Sequence, residues 1–257
     1  MYPTSNGFSL WGDHGISFND ARQGQIGNCW AIAAISSIAE DPDRIEDTFV
    51  TKKLNDEDVY SMTLYPLGTP ADITIDGRIP GRNWANFAGA GRDKSLWVPL
   101  IEKAMAKDYG TYAAMEGGFS HTGVASILGS PGRFLNHRGF EIDQLWRLFQ
   151  NGDKRGDMIN TMPRCEGLTK EVGLICIHAY TVIGPYELSN GVRLVKVRNP
   201  WATEGYHGDW SDKSELWTDE LRAEVGAVVS NDGVFFMTID DFKETMEVLF
   251  WSWNVQH

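Results

Sequence analysis

Cys29 lies directly after a glycine-bearing loop and at the start of an apolar segment, a position that favours nucleophilic chemistry. Residues 29–40 are apolar nearly all round and predict a buried helix, with Asn28 as its N-cap. The backbone N–H groups and the dipole at a helix N-terminus favour a thiolate over a thiol. The same N–H groups can stabilise a developing oxyanion, to which the side-chain amide of Gln23 can contribute. The alternative is that Cys29 is an ordinary buried thiol.

His178 is the candidate base, and its neighbour Asn199 is the candidate residue that orients it. His178 falls in an apolar segment, 173–184, that predicts a strand, and a turn-rich sequence leads to a second strand at 192–198. Two such strands favour an antiparallel hairpin that places His178 almost opposite Asn199, about 5 Å apart at Cβ on a shared face. An Asn in that position can fix the tautomer of an imidazole. The alternative for Asn199 is a turn residue before Pro200.

The rest of the sequence predicts two regions of different character. The first half contains a helix at 95–107 and short strands at 59–64 and 72–75. The second half contains a short helix at 142–149 and, besides the hairpin, a strand at 233–239. A glycine cluster at 117–123 marks the expected boundary, which gives domains 1–122 and 123–257. We therefore predict an α+β fold in which a helical lobe and a β-sheet lobe flank a cleft.

Composition narrows the classes of partner. The formal net charge of −12 disfavours nucleic acids and anionic membranes as partners, because phosphates are neutralised by Lys and Arg.

The cysteines are Cys29, Cys165 and Cys176. This odd number without a CxxC pair argues against a disulfide framework and a zinc site. We interpret Cys165 and Cys176 as structural. The sequence shows no signal peptide or membrane segment, so we predict a cytoplasmic protein without an organic cofactor.

Six segments occur in order along nearly the whole chain: 23–30 (QGQIGNCW), 100–104 (LIEKA), 178–182 (HAYTV), 197–201 (VRNPW), 208–212 (GDWSD) and 231–236 (NDGVFF). Together they resemble the protease core of the calpain family. One departure concerns Asn28, because the family usually has Asp before the cysteine.

This resemblance implies a papain-like two-lobe core and limited proteolysis of protein substrates. It assigns Cys29 as nucleophile, His178 as base and Asn199 as its orienting residue. It also assigns Gln23 to the oxyanion hole and Trp201 to the tryptophan that covers the asparagine, and we expect Trp30 and Trp201 to line the substrate cleft. The family's accessory regulatory domains or subunits would lie outside these 257 residues.

Calcium regulation is also implied by the resemblance, but the expected ligands are incomplete. Asp13, Gly15 and Asp20 match the ligands of the first lobe, where a further acidic position is occupied by Ser95. Asp212 and Asp232 match the second lobe, where two more acidic positions are occupied by Gly205 and Val234, with Glu204 adjacent. Because calcium affinity falls with each lost charge, we expect calcium binding to be weakened or absent in at least one lobe. Ordinary loop capping is the alternative role of these aspartates.

Two other functions remain open at this point. One is a catalytically silent interaction module with the same fold, against which the intact Cys, His, Asn and Gln set argues. The other is a transglutaminase-like acyl transferase, a class that usually pairs its histidine with Asp rather than Asn. The sequence predicts neither the substrate nor a specificity pocket.

Overall fold

The chain divides into two compact units that meet in sequence at Gly132 and Arg133. The computed structural model describes residues 7–81 and 86–255. The boundary predicted at 122/123 would cut through a helix, Ser120–Leu128, which belongs to the first unit. Gly123 of this helix lies so close to Ala34 that an added Cβ would be 2.9 Å from the Ala34 Cβ. Glycine here therefore permits close helix packing and does not end the domain.

Among its described residues, the first unit combines four α-helices with a two-stranded antiparallel sheet. Strand β1 pairs with β2 along its whole length, from Val59 opposite Asp76 to Leu64 opposite Ala71. The elements are α1 (Cys29–Ile38), α2 (Pro42–Thr48), β1 (Val59–Leu64), β2 (Ala71–Asp76), α3 (Trp97–Asp108) and α4 (Ser120–Leu128). Short 3₁₀ turns occur at Phe18–Asp20, Pro66–Gly68 and Ala113–Met115.

Helix α1 begins at Cys29, as predicted, and is the most deeply buried helix of this unit. Every residue from Trp30 to Ile38 is buried, which agrees with its apolar sequence. Asn28 occupies the N-cap position, as predicted, but its side chain makes no capping hydrogen bond. The Nδ2 of Asn28 instead donates to Oε1 of Glu102 at 2.6 Å.

The second unit is built on a six-stranded sheet with the strand order β3-β8-β4-β5-β6-β7. Strands β4 to β8 form antiparallel pairs wherever their register is defined. The elements are β3 (Gly132–Asn136), α5 (Ile142–Arg155), β4 (Met158–Pro163), α6 (Leu168–Glu171), β5 (Tyr180–Glu187), β6 (Arg193–Arg198), α7 (Asp219–Val225), β7 (Val234–Thr238), α8 (Ile239–Thr245) and β8 (Met246–Ser252).

The predicted hairpin is formed by β5 and β6, but its first strand begins later than expected. Residues 173–179 are not in a strand, because a turn interrupts them at Cys176 and Ile177, and Ile177 has φ +53°. At its other end β5 continues through Pro185 to Glu187. Proline is tolerated there because β4 pairs with β5 only from Tyr180 to Val182, so the missing N–H leaves no partner unpaired.

The hydrophobic core of the second unit lies between the sheet and helices α5 and α8. Trp251 and Phe149 stack there with centroids 6.4 Å apart, and Phe242 meets Phe149 edge-on at 5.2 Å. Helix α5 extends past the predicted end at 149 to Arg155, and Gly152 within it packs against Trp251. The architecture is thus a mixture of helices and sheet, in agreement with the predicted α+β class. Over the residues that the structure describes, no helix has the length and apolarity needed to cross a membrane.

Candidate active site

The first group of site residues surrounds the start of α1. Cys29 is partly buried and the following Trp30 is buried. The loop before them is held by hydrogen bonds from Gln25 N to Asn86 O at 3.0 Å and from Gly117 N to Gly27 O at 2.9 Å. A thiol at this helix start therefore sits on a backbone that is fixed from two sides.

Gly24 shows why this loop needs glycine. A Cβ added at Gly24 would lie 2.1 Å from the carbonyl oxygen of Phe87, so the two backbone segments touch directly.

The preceding residue, Gln23, is partly buried, and its Nε2 donates to Ile26 O at 2.7 Å. That bond uses one of the two Nε2 hydrogens, which leaves the other to donate to a further acceptor.

Glu102 of α3 is a buried residue whose contribution to the site the sequence did not predict. Its Oε1 accepts from Asn28 Nδ2 and its Oε2 accepts from Ala88 N at 2.9 Å, so it links the residue before Cys29 to a distant loop. Burial raises the pKa of Glu102 to about 7, against the opposing effect of these two hydrogen bonds. No local signal pairs Asn28 with Glu102, because 74 positions separate them.

Replacing Glu102 with glutamine is expected to remove a pH dependence of stability. Between pH 4.5 and about 7 only the folded state keeps the proton on Glu102, so wild-type stability falls as the pH rises through this range. The shift corresponds to on the order of 3 kcal/mol. Urea unfolding gives the free energy of unfolding at each pH. From pH 5 to pH 8, that free energy should rise by about this amount for the variant relative to wild type.

Glu116 provides the matched control, because it is an exposed glutamate of the same unit. Replacing Glu116 with glutamine should give a free energy of unfolding that differs from that of wild type by the same amount at every pH in this range. A flat profile for the Glu102 variant as well would show that Glu102 keeps its charge in the folded protein.

The second group of site residues lies in the second unit, where His178 and Asn199 meet. His178 Nε2 is 2.8 Å from Asn199 Oδ1. The same oxygen accepts from Trp201 N at 3.0 Å, and Asn199 Nδ2 donates to Thr203 O at 3.4 Å. Because the Trp201 N–H can only donate, it fixes the orientation of the amide, and His178 Nε2 must carry the hydrogen. The lone pair of the neutral imidazole is therefore on Nδ1.

Backbone contacts from Gly233, the residue before β7, hold Asn199 in place. Asn199 N donates to Gly233 O at 2.9 Å. Gly233 has φ +84°, and a Cβ there would lie 2.7 Å from Asn199 O. Only glycine satisfies both the backbone angle and this close approach. The predicted proximity of His178 and Asn199 is thus achieved by the loop after β6 and not by pairing within the strands.

Aromatic rings cover the His178 imidazole on two sides. Its centroid is 4.7 Å from that of Trp201 and 5.0 Å from that of Tyr180, which meets it edge-on. Burial lowers the pKa of His178, and the hydrogen bond with Asn199 opposes that shift. The neutral imidazole is accordingly favoured at pH 7.

The two tryptophans expected in the substrate cleft have different environments. Trp201 is 42% exposed above His178, whereas Trp30 is 2% exposed. Trp30 Nε1 donates to Met115 O at 2.8 Å, and a Cβ on Gly118 would come 2.4 Å from its ring. The contacts of Trp30 are those of a packing residue of the first unit, so its role in substrate binding stays a prediction.

In the first unit the two predicted acidic calcium ligands have different surroundings. Asp13 is exposed, while Asp20 Oδ2 already accepts from Ser17 N and Trp97 Nε1 at 3.1 Å each. The structure places Asp93, which the sequence did not predict, beside Ser95, whose Oγ would lie 2.1 Å from a Cβ added at Gly91. A Cβ on Gly91 would lie 3.0 Å from Asp20 Oδ1 and 3.1 Å from Asp93 Oδ1, so these two carboxylates approach each other.

In the second unit three acidic side chains lie near one another, and backbone N–H groups donate to two of them. Asp212 Oδ2 accepts from Ser230 N at 2.8 Å, and Asp232 Oδ1 accepts from Val234 N at 2.9 Å. Burial and the nearby charge of Asp212 raise the pKa of Glu204 to about 7.

The described acidic groups of both units are too few and too separate to form a metal site by themselves. Within residues 7–81 and 86–255, no three or more His, Cys, Asp or Glu side chains are grouped closely enough to hold a metal ion. Calcium needs six to eight oxygen ligands. The acidic donor sets of both units therefore fit a calcium ion poorly.

Comparison with known proteins decides the family. The model of the calpain family of cysteine proteases matches residues 5–250, a range that includes Cys29, Gln23, His178 and Asn199. The chain belongs to the calpain family. As a calpain-family chain it is related to cysteine peptidases, and the resemblance drawn from the six sequence segments is confirmed.

Relatives of this calpain-family chain are found in plants and animals. It is 32% identical over 237 residues to the calpain-type cysteine protease DEK1 of Arabidopsis thaliana, covering 88% of this chain and 11% of that protein. It is 30% identical over 240 residues to the calpain-type cysteine protease ADL1 of Oryza sativa subsp. japonica, covering 89% and 11%. It is 31% identical over 241 residues to Calpain-12 of Mus musculus, covering 88% and 33%. The chain thus spans a tenth to a third of these relatives.

Proposed function

We propose that this calpain-family chain is a cysteine endopeptidase that performs limited proteolysis of intracellular proteins. The observation that carries the proposal is the hydrogen bond between His178 Nε2 and Asn199 Oδ1, whose direction leaves Nδ1 as a proton acceptor. A histidine oriented in this way is what a cysteine nucleophile requires of its base. Membership of a cysteine protease family supports the same chemistry.

The proposed reaction is acyl transfer to Cys29 in a papain-like two-lobe core. His178 takes the thiol proton, and the Cys29 sulfur attacks the carbonyl carbon of the substrate peptide. The oxyanion is stabilised by the N–H of Cys29 and by the second Nε2 hydrogen of Gln23. His178 then gives the proton to the leaving amine, and water hydrolyses the thioester. The proposal requires the thiol and the imidazole to meet in the functional protein.

Two measurements on the 257-residue chain test this proposal together. An unfolded protein substrate should release new α-amino groups, and a thiol-reactive peptide inhibitor should label Cys29, as shown by peptide mass mapping. Cys165, which is exposed, provides the matched control, since its replacement with serine should alter neither result. Absence of both cleavage and labelling, with and without calcium, would favour a silent interaction module. Cross-linked product without new amino groups would favour a transglutaminase-like transferase.

Calcium regulation is general in the calpain family, but we propose that this chain binds the ion weakly. Calorimetric titration is expected to give a Kd above about 10⁻⁵ M, weaker than the usual range of calcium sensors. The physical reason is that the acidic groups of each unit are few and already accept backbone hydrogen bonds. Two tight sites would contradict this expectation.

Val234 offers a gain-of-function variant for the same titration, because the resemblance implies an acidic residue at its position. Val234 follows Asp232 closely and opens β7. Replacing it with glutamate adds a carboxylate next to Asp212 and Asp232, and the affinity for calcium should rise about tenfold or more. An unchanged titration would show that restoring one acidic residue is not enough to build a calcium site in the second unit.

A further inference from the structure

The thiols of Cys165 and Cys176 lie close together in the second unit. Cys165 lies between β4 and α6, and Cys176 lies in the turn before β5. Cys176 Sγ donates to the carbonyl oxygen of Arg164 at 3.7 Å, and Arg164 is the residue directly before Cys165. A hydrogen bond with Cys176 raises the pKa of Cys165, as does burial, while the N–H of Ile177 lowers it. Both groups therefore lie within reach of the Cys165 sulfur.

The Cys165 side of this pair is anchored firmly. Arg164 N donates to Thr245 O at 2.8 Å, and its guanidinium donates from Nη2 to Lys243 O at 3.2 Å. The Nε of the same side chain donates to Met246 O at 3.3 Å. Helix α8 and the start of β8 thus hold the backbone that precedes Cys165.

The Cys176 side is strained and leads directly into His178. Ile177 has φ +53° and is 80% exposed, an unfavourable conformation for a β-branched residue that gains little from burial. The backbone N–H of Ile177 faces the Cys165 sulfur. Cys165 therefore touches the strained turn one residue before the imidazole that contacts Asn199.

We propose that Cys165 and Cys176 form a reversible disulfide when the protein meets a hydroperoxide, and that this bond displaces His178 from Asn199. The effect of this displacement on catalysis rests on the proposed function. The formation of the disulfide and the movement of His178 do not. Cys165 is exposed and Cys176 partly buried, so the oxidant can reach the pair. Neither residue belongs to the catalytic set, so oxidation at this pair is separate from oxidation of the nucleophile.

The chemistry balances with hydrogen peroxide as the oxidant. One thiolate attacks a peroxide oxygen, the O–O bond breaks, and a sulfenic acid forms as hydroxide leaves and takes up a proton to become water. The second sulfur then attacks the sulfenic sulfur, the S–O bond breaks, and a second water leaves. Two thiols give up two electrons and two protons, and one peroxide becomes two waters. A dithiol such as dithiothreitol reverses the change and becomes a cyclic disulfide.

The effect on His178 follows from the contacts that the disulfide removes. A sulfur in a disulfide has no hydrogen, so Cys176 can no longer donate to Arg164 O. The two sulfurs must also approach to about 2.05 Å. Because Arg164 is fixed by α8, the turn at Cys176 and Ile177 must move, and His178 is the next residue.

The test uses the Cys29→Ala variant, which leaves two of the three cysteines and no nucleophile. After hydrogen peroxide treatment, titratable thiols should fall from two to none per chain, and mass mapping should find the peptides of Cys165 and Cys176 joined. The NMR signals of the His178 ring, identified with a His178→Asn variant, should shift and return with dithiothreitol. Since this variant is inactive by design, the result does not depend on whether the chain is a peptidase.

Two matched variants decide the outcome. Cys29→Ala combined with Cys165→Ser or with Cys176→Ser should show neither joined peptides nor a reversible shift of His178. Oxidation of Cys165 to sulfinic acid without a joined peptide would overturn the disulfide. A joined peptide with unchanged His178 signals would overturn the coupling to the active site.

Discussion

Replacing Cys29 with alanine is expected to abolish peptide cleavage while the protein stays folded. The proposed reaction has no substitute for the sulfur, so the rate should fall on the order of 10⁴-fold or more. Alanine is the best helix former and Cys29 is only partly buried, so helix α1 should tolerate the change. The assay is release of α-amino groups, with circular dichroism and urea unfolding measured on the same samples.

Cys165→Ser provides the control for this prediction, because it removes a thiol outside the proposed catalytic set. Its reduced form should cleave substrate at the wild-type rate. If the Cys29 variant kept substantial activity, the nucleophile would lie elsewhere in the chain. Inactivity accompanied by loss of the cooperative unfolding transition would contradict the structural part of the prediction.

Replacing Asn199 with alanine should lower the rate on the order of 10²-fold, within the range of general acid–base effects. The variant removes the acceptor that holds His178 Nε2–H, so the ring can rotate and change tautomer. Because the hydrogen bond with Asn199 raises the pKa of His178 against the effect of burial, its loss should lower that pKa further. NMR titration of the His178 ring measures this shift independently of turnover.

Asn190 is a suitable control for the Asn199 variant. It is an exposed asparagine in the β5–β6 turn, where its Oδ1 accepts from Val192 N. Its replacement with alanine should leave both the rate and the His178 titration unchanged. A rise in the His178 pKa on loss of Asn199 would mean that the side chain does not hold the imidazole in the way the hydrogen bond indicates.

Local sequence patterns predicted the elements that carry the site but not all of their contacts. The apolar run after Cys29 predicted α1, and strand-like segments predicted the pairing of β5 with β6. The register was less predictable, because a bulge between Val182 and Gly184 shifts the pairing by one residue. The turn at Ile177 also makes the strand begin later than predicted, since an apolar sequence alone does not reveal a left-handed backbone angle.

Contacts between distant segments were the main features that the sequence could not supply. Asn28 has the residue type of a helix cap, yet a buried carboxylate from α3 competes successfully for its side chain. Asp93 lies beside the expected Ser95 near Asp20 because the chain folds back at Gly91. Each of these outcomes depends on which segments pack together, and neither helical nor strand periodicity records that information.

The position of β8 in the sheet has a consequence for biosynthesis. Although β8 is the last strand among the described residues, it lies between β3 and β4 in the six-stranded order. A nascent chain that has not yet extruded Met246–Ser252 therefore leaves the backbone groups of both neighbours without their partner. The second unit is expected to complete its fold only after the ribosome has finished this strand, and early termination before it should yield an aggregation-prone product.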